Sequence, residues 1–268
     1  MIWLLLAQSA QAGILDNVTQ PEDISTYGHL IDSLFNYVTG MNIFFFFLVC
    51  VGLFGFSWAY HHKRHPKPVY THGTTKKQII VVTIIGAAVF FCIDLAITGI
   101  ATRDLNETFW NWPDEEKEDV LKVEILAQQW AWNFRYAGKD GKFNTVDDVV
   151  LLNDLRIPAG KKVIAQISSK DVIHSFYLPN FRAKVDAIPG RITRLWFEAK
   201  EGAEGKYDIA CAEMCGTHHY LMKAQLTVYK TEAEFDQWLD QERTYNMYAV
   251  DEENLDTFWG WKWQYQEQ

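Results

Sequence analysis

The sequence predicts a two-helix transmembrane hairpin, then an all-β sandwich or barrel closed by a C-terminal helix. Three observations carry that prediction. No charged residue occurs between Asp32 and Lys63. Between Lys77 and Arg103 the only charge is Asp94. Beyond residue 120 the apolar residues settle into a period of two, as they do in strands.

Averages conceal this division. A chain of 268 residues, 49% hydrophobic and with a net charge of −9, would pass for a soluble acidic protein. Residues 1–100, however, hold five acids and five bases, and the whole −9 lies in the remainder. An acidic balance argues against a nucleic-acid backbone as partner, since that partner selects for basic patches. Four Cys are too few for a disulfide scaffold.

The first segment, 1–37, begins MIWLLLAQSAQAG. Its Ala10-Gln11-Ala12 end resembles a signal-peptide cleavage site, but no basic residues precede the apolar run. Residues 1–12 read as a short signal or a surface anchor. The hairpin follows over 38–102, with spans at about 39–61 and 78–101. Met41–Tyr60, MNIFFFFLVCVGLFGFSWAY, is long enough to cross a bilayer as a helix. So is the stretch that opens QIIVVTIIGAAVFFCI. The connecting loop, HHKRHPKPVYTHGTTKK, has five bases, four His and no acid. A short basic loop stays in the cytoplasm, which sends both other ends outside. Cys50 and Cys92 lie in the spans and read as small apolar residues. Asp94 lies in the second span, nearer its outer end; it reads as a functional acid, or as one that snorkels or pairs with a partner subunit.

Over 103–230 the chain reads as β. Trp130, Trp132, Phe134 and Tyr136 alternate with Ala131, Asn133 and Arg135. Val149–Ile157, Val163–Ser168, Thr193–Ala199, Tyr207–Ala210 and Met222–Tyr229 are further short β-rich runs. AGKDGKFNTVDD reads as a polar hairpin loop, and IPAGKK and AIPGR as turns. Six or so strands suggest a sandwich or barrel. The last segment, 231–268, opens with a Thr231-x-x-Glu234 capping box. Phe235, Trp238 and Leu239 then give the stripe of an amphipathic helix. A Trp-rich tail, DTFWGWKWQYQEQ, ends the chain. Its TFWxW also occurs at Thr108–Trp112, by chance or as an aromatic belt or subunit contact.

The chemistry concentrates in YDIACAEMCGTHHYLMKAQLTVY, which reads Cys211-x3-Cys215-x3-His219-x2-Met222 on a loop between two strands. His174 stands upstream in DVIHSFYLP, also read as lying between strands. Four arrangements are open. Cys211 and Cys215 could form a disulfide in an oxidising compartment. Cys2His2 zinc would leave Met222 surplus. A mononuclear blue-copper site would take Cys215, His219, Met222 and His174, leaving Cys211 over. Two copper ions sharing two bridging thiolates, each with its own His and a weak axial ligand, would use every donor. Bridging sulfurs delocalise an electron over both metals, and rigid β loops limit the change of geometry on reduction.

DVIHSF, DAIPGR and CAEMCGTHHYLM together resemble subunit II of the haem–copper cytochrome c oxidases, and the resemblance covers most of the chain. It implies a cupredoxin-like fold for the outer domain and a two-copper centre, copper A, held by His174, Cys211, Cys215, His219, Met222 and the backbone carbonyl of Glu213. The Glu213 side chain would ligate a magnesium or manganese ion shared with subunit I. Trp130 would be the entry point for electrons from a c-type cytochrome. Asp171 and Asp186 match acids that dock that donor. Lys170 and Arg135 depart from the family's acidic pattern, which leaves room for a cytochrome tethered to a partner complex. The family's Glu near the inner start of the second helix is replaced here by the Thr74–Gln78 stretch, so its proton-path role does not carry over.

The resemblance further implies haem only in the partner subunit, and association with subunits I and III in a bacterial inner membrane. The chain would cross that membrane more than once, with its C-terminal domain in the periplasm. Oxygen reduction and proton translocation would take place on subunit I. The rival readings are the copper A subunit of another respiratory complex such as a nitric oxide reductase, a copper-free quinol oxidase subunit, and a non-redox membrane-anchored module with a disulfide.

Overall fold

The computed structural model describes residues 20–67, 70, 72–115, 117–145 and 147–245. The signal-like Ala10-Gln11-Ala12 and the Trp-rich tail lie outside them. Two helices are long and apolar enough to cross a membrane, α1 (Gly28–Ala59) and α2 (Lys76–Phe109). Their most apolar windows are not buried inside the chain at all, unlike the core helix of a soluble protein. Phe44, Phe46, Phe47, Phe54 and Phe56 of α1 all face outward, as a helix whose solvent is lipid requires. Thr75 caps α2, accepting from the Gln78 N–H while the Gln78 side chain accepts from the Thr75 N–H.

Residues 29–111 form one compact unit; 20–28 and 112–245 belong to the other. In this second unit the stretch before α1 runs along a sheet edge. Ile24 N–H donates to the Asn180 carbonyl (3.0 Å), and Ile24 accepts from Lys200 N–H (2.8 Å). Ser25 bridges to Ala199, while Ile24 and Tyr27 are buried. The chain therefore enters and leaves the helix pair from the same domain.

The described residues of that domain contain ten strands, not the six or so expected. They are β1 (Leu121–Gln128), β2 (Ala131–Tyr136), β3 (Val149–Leu152), β4 (Asp154–Pro158), β5 (Lys162–Ser169), β6 (His174–Leu178), β7 (Ala183–Ala187), β8 (Thr193–Glu198), β9 (Gly205–Cys211) and β10 (Lys223–Tyr229). One sheet has the order β3-β2-β1-β5-β8, the other β4-β10-β9-β6-β7. β1 pairs with β5, and β4 with β10, in parallel; the remaining pairs are antiparallel.

Two sequence expectations change here. Val149–Ile157 is not one strand, because the chain switches sheets at Asn153. That residue has φ 55°, and its side-chain oxygen accepts from the Trp132 N–H (2.8 Å). Trp130 is not on the aromatic strand either. Gln128 pairs with Ala131, which leaves Gln129 and Trp130 as the turn between β1 and β2.

The aromatic alternation itself holds from Trp132 onward. Trp132, Phe134 and Tyr136 are buried on one face of β2. Trp132 meets Phe176 edge-on (5.3 Å between ring centroids), tying the two sheets together. A terminal helix, α3 (Glu232–Tyr245), starts where the Glu234 N–H donates to the Thr231 hydroxyl (3.3 Å). Phe235, Trp238 and Leu239 are buried. Trp238 packs on Tyr136 (5.8 Å) and Tyr229 (6.1 Å), sealing the sandwich.

Candidate metal centre

The site is built at the common end of β6, β9 and β10. β6 and β9 are antiparallel, with Phe176 opposite Cys211. His174, the first residue of β6, therefore stands beside the loop that leaves Cys211, the last residue of β9. His174 does not lie between strands, as its sequence suggests; its place at the head of β6 gives the ring a rigid base. The loop from Ala212 returns to β10 through a short 3-10 turn, His219–Leu221, and Met222 precedes the strand directly. Cys211 N–H donates to the Met222 carbonyl (3.2 Å), closing the loop at its root.

The soft donors converge. Cys211 Sγ and Cys215 Sγ are 3.7 Å apart, and both cysteines are free. His174 Nδ1 lies 4.0 Å from Cys211 Sγ, and the Glu213 carbonyl oxygen lies 3.3 Å from the same sulfur. On the other side, His219 Nδ1 is 3.5 Å and Met222 Sδ 3.8 Å from Cys215 Sγ. Each thiol thus has its own imidazole and its own weak donor. Ligand atoms of His174, Cys211 and Cys215 all lie within 4.8 Å of one another, and His219 falls outside that group. A single tetrahedral zinc would draw four ligands into one group. A mononuclear copper site would leave one Cys unused. The paired donor set fits two soft ions sharing two thiolates.

Electrostatics separates the two thiols. Burial alone would raise Cys211, but hydrogen bonds with His174 and with the backbone at Glu213 and Ser175 outweigh it and bring it down to about 6. Burial and the neighbouring Cys211 push Cys215 up to about 12. The protein's own groups therefore favour the anion at Cys211 and the neutral thiol at Cys215 until a cation offsets the repulsion between the two sulfurs.

Around the donors lies a layer of contacts that the sequence did not reveal. Asp171 Oδ1 is 2.8 Å from His174 Nε2, and its Oδ2 accepts from the Gln129 N–H (2.6 Å). A carboxylate on Nε2 fixes the ring's orientation, so that Nδ1, which bonds Cys211 in the metal-free chain, would offer its lone pair to a metal ion that displaces its proton. Burial works against the Asp171 carboxylate, but the bonds from His174, Gln129 and Val172 hold it below the usual range. Trp132 packs 6.1 Å from the His174 ring. The indole N–H of Trp130 donates to the Cys215 carbonyl (3.2 Å), as does the Gln129 side-chain amide (2.8 Å). The His218 ring lies 4.4 Å from the Trp130 ring.

Asp186 accepts from the Ser175 hydroxyl (2.7 Å) and keeps half its side chain exposed. Glu213 is exposed. Arg135, expected as a departure from an acidic docking face, is fully buried and presents no charge to a donor; Lys170 is exposed.

Gly216, next to Cys215, has φ +119°. A Cβ there would meet Gln129 Nε2 at 3.0 Å and the Trp130 ring at 3.2 Å. Gly216→Ala should destabilise the loop by about 1–3 kcal/mol through backbone strain and forced displacement of the turn. Thermal unfolding of the full chain, with its metal content, checks this.

Residues 121–228 match the family model for the cytochrome c oxidase subunit II periplasmic domain. The chain is 31% identical over 269 residues to the alternative cytochrome c oxidase subunit 2 of Bradyrhizobium diazoefficiens, covering 90% of this chain and 92% of that one. The chain belongs to the cytochrome c oxidase subunit II family. It is also 28% identical over 232 residues to cytochrome c oxidase subunit 2 of Cereibacter sphaeroides, with 72% of this chain and 70% of that one covered. Among solved structures it is similar to the periplasmic domain of subunit II of cytochrome oxidase from Bradyrhizobium japonicum, at 28% identity and a TM-score of 0.42, covering 48% of this chain and 97% of that one.

Membership settles the fold class as two apolar helices followed by the family's β domain. The chain is a membrane protein with a periplasmic domain. The family binds copper A, and the His174, Cys211 and Cys215 cluster is present for it. The relatives favour the oxidase reading over the other respiratory complexes.

Proposed function

We propose that this chain is the electron-entry subunit of a terminal haem–copper oxidase, receiving electrons from a c-type cytochrome and passing them to haem in subunit I. The observation that carries the reading is the pairing of donors: two thiols 3.7 Å apart, each with its own imidazole and its own weak ligand. His174, Cys211, Cys215, His219, Met222 and the Glu213 carbonyl would hold two copper ions, which when bound supply a one-electron couple shared across both metals. The residues around them hold the donors still. Asp171 orients His174, and the strand ends fix Cys211 and Met222. A geometry that barely changes between oxidation states suits rapid electron transfer.

Trp130 is the entry point in this reading. Its indole is bonded directly to the Cys215 backbone, so a partly exposed ring is wired to a copper-loop carbonyl. Asp186, the exposed edge of Asp171 and the acidic surface around them steer a cationic donor toward it. The Glu213 side chain, exposed at the loop tip, is placed to take a hard cation such as magnesium or manganese at the junction with subunit I. Subunit III completes the complex. Residues 20–28 pack with the periplasmic domain, so α1 enters the membrane and α2 returns. The chain thus crosses twice, in the bacterial inner membrane, with the basic 61–77 loop in the cytoplasm.

Metal analysis of the intact complex tests the reading. The expected result is two copper ions per chain and a mixed-valence signal delocalised over both. Zinc, a single copper, or a disulfide without metal would overturn it. Trp130→Ala should slow electron entry from the cytochrome by at least tenfold while copper content stays unchanged, the pattern of a lost transfer path rather than a lost site. Stopped-flow reduction of the complex separates the two.

A further inference from the structure

We propose that Asp94 is the residue through which this subunit grips a neighbouring transmembrane helix, by way of a hydrogen-bond-donating side chain on that helix. The inference rests on the reading of the chain as one subunit of a membrane complex, and names a contact which that reading leaves open.

Asp94 stands 16 residues beyond Gln78 and 9 before Arg103. At a helical rise of 1.5 Å per residue it lies about 24 Å from the inner end of the uncharged stretch and about 14 Å from the outer charge. The hydrocarbon core is about 30 Å thick, so Asp94 lies inside it. A long Lys or Arg snorkels to the interface from such a depth; the short aspartate side chain does not.

No described residue satisfies the carboxyl group. Asp94 is exposed on α2, with no hydrogen bond or ion pair to any described residue. The residues one turn away are Phe90, Phe91, Ile97 and Thr98, and Thr98 carries the only polar side chain among them. A second, independent observation concerns the backbone. Phe90–Asp94 is a π-helical turn, in which the Leu95 N–H reaches back to the Phe90 carbonyl. Such turns are rare in helices and concentrate at functional positions.

A carboxyl group in lipid is costly and persists where it faces protein or water. In this proposal the donors are supplied by a neighbouring chain rather than by water. Charge complementarity identifies the partner: a transmembrane helix of the same complex, bearing Lys, Arg, His or an amide at matching depth.

Replacing Asp94 with Leu makes the test sharp. Leucine makes the span more apolar, so insertion improves while the proposed grip disappears. Full-length complex carrying Asp94→Leu should retain its partner subunit through detergent purification about tenfold less well than wild type, as expected for loss of one interhelical hydrogen bond. Asp94→Asn keeps an acceptor oxygen and should retain the partner nearly as well as wild type. A photoreactive residue at position 94 should cross-link to another polypeptide. Equal retention by the Leu variant, or adducts with lipid alone, would overturn the proposal. The copper signal of the periplasmic domain should persist in both variants; its absence from wild-type complex would instead strike the oxidase reading.

Discussion

Cys215→Ser should abolish the delocalised mixed-valence signal and remove at least one copper ion per chain. Cys215 lies within 4 Å of three other soft donors: Cys211 Sγ (3.7 Å), His219 Nδ1 (3.5 Å) and Met222 Sδ (3.8 Å). A serine hydroxyl is harder and far less acidic than a thiol, so it does not replace a thiolate on a soft ion. Cys211 and His174 remain, which allows at most a localised single-metal site. His219 and Met222 lose the sulfur that groups them with the rest. Copper stabilises the folded state by mass action, so the variant should also melt below the holo wild type and match the copper-stripped wild type. His218→Ala is the paired control. His218 is exposed and adjacent to His219, yet its ring lies against Trp130 and it makes no contact with either thiol. That variant should keep both copper ions. Paramagnetic resonance and metal analysis of the two purified complexes decide the matter; a delocalised signal surviving in Cys215→Ser would refute the bridging assignment.

The Cys, His and Met spacing in one loop was legible in the sequence because all those donors sit within twelve residues. The layer that orients them was not. Asp171 reads as an exposed acid suited to docking, and only the fold reveals that its two oxygens hold His174 and the Gln129 amide. That contact depends on β6 and the β1–β2 turn meeting at one end of the sandwich, which no local pattern encodes.

The same limit applies to the strands. β2 was legible because its alternation is strong, yet period two cannot tell the last strand residue from the first turn residue, and Trp130 falls on the wrong side of that line. β6 and β7 escaped because each is only five residues long: HSFYL mixes polar residues into both faces, and AKVDA alternates but offers only two Ala and one Val on its apolar face. The break at Asn153 did carry a signal: Asn-Asp interrupts an apolar run, and asparagine tolerates φ above zero. The two helices were legible at once, since uninterrupted apolar length is the plainest sequence signal there is.

Arg135→Ala should be the most destabilising substitution in the periplasmic domain, costing about 3–5 kcal/mol, the usual result of stranding a buried charge. Strand β2 buries both its faces near this point. Phe134 and Tyr136 face the sandwich core, while Arg135 faces the other way and is also fully buried. The sheet register explains what it meets there. Arg135 is directly opposite Glu124 on β1, Glu124 is opposite Gln166 on β5, and Gln166 is opposite Arg194 on β8. A polar row thus crosses four strands, with Arg135, Glu124 and Gln166 fully buried. Asp148 and Asn144, from the loop between β2 and β3, close one end: Arg135 lies 3.6 Å from Asp148 and bonds Asn144. Glu115 pairs with Arg194 at the other end, beneath the Trp112 ring (5.0 Å).

Burial pushes the Arg135 guanidinium down from its ordinary value, while Glu124 and Asp148 oppose that shift; burial also raises Asp148. Removing the cation leaves Glu124 and Asp148 buried without their counter-charge. Removing both charges of the opposed pair is a different matter, because the desolvation cost disappears with them. Arg135→Met combined with Glu124→Leu should therefore cost less than the sum of the two single substitutions, although Asp148 still loses its cation. Thermal unfolding of the full chain should show a fall on the order of 10 °C for Arg135→Ala. A fall of only a degree or two, or strictly additive single and double variants, would mean that the row contributes packing volume rather than paired charge.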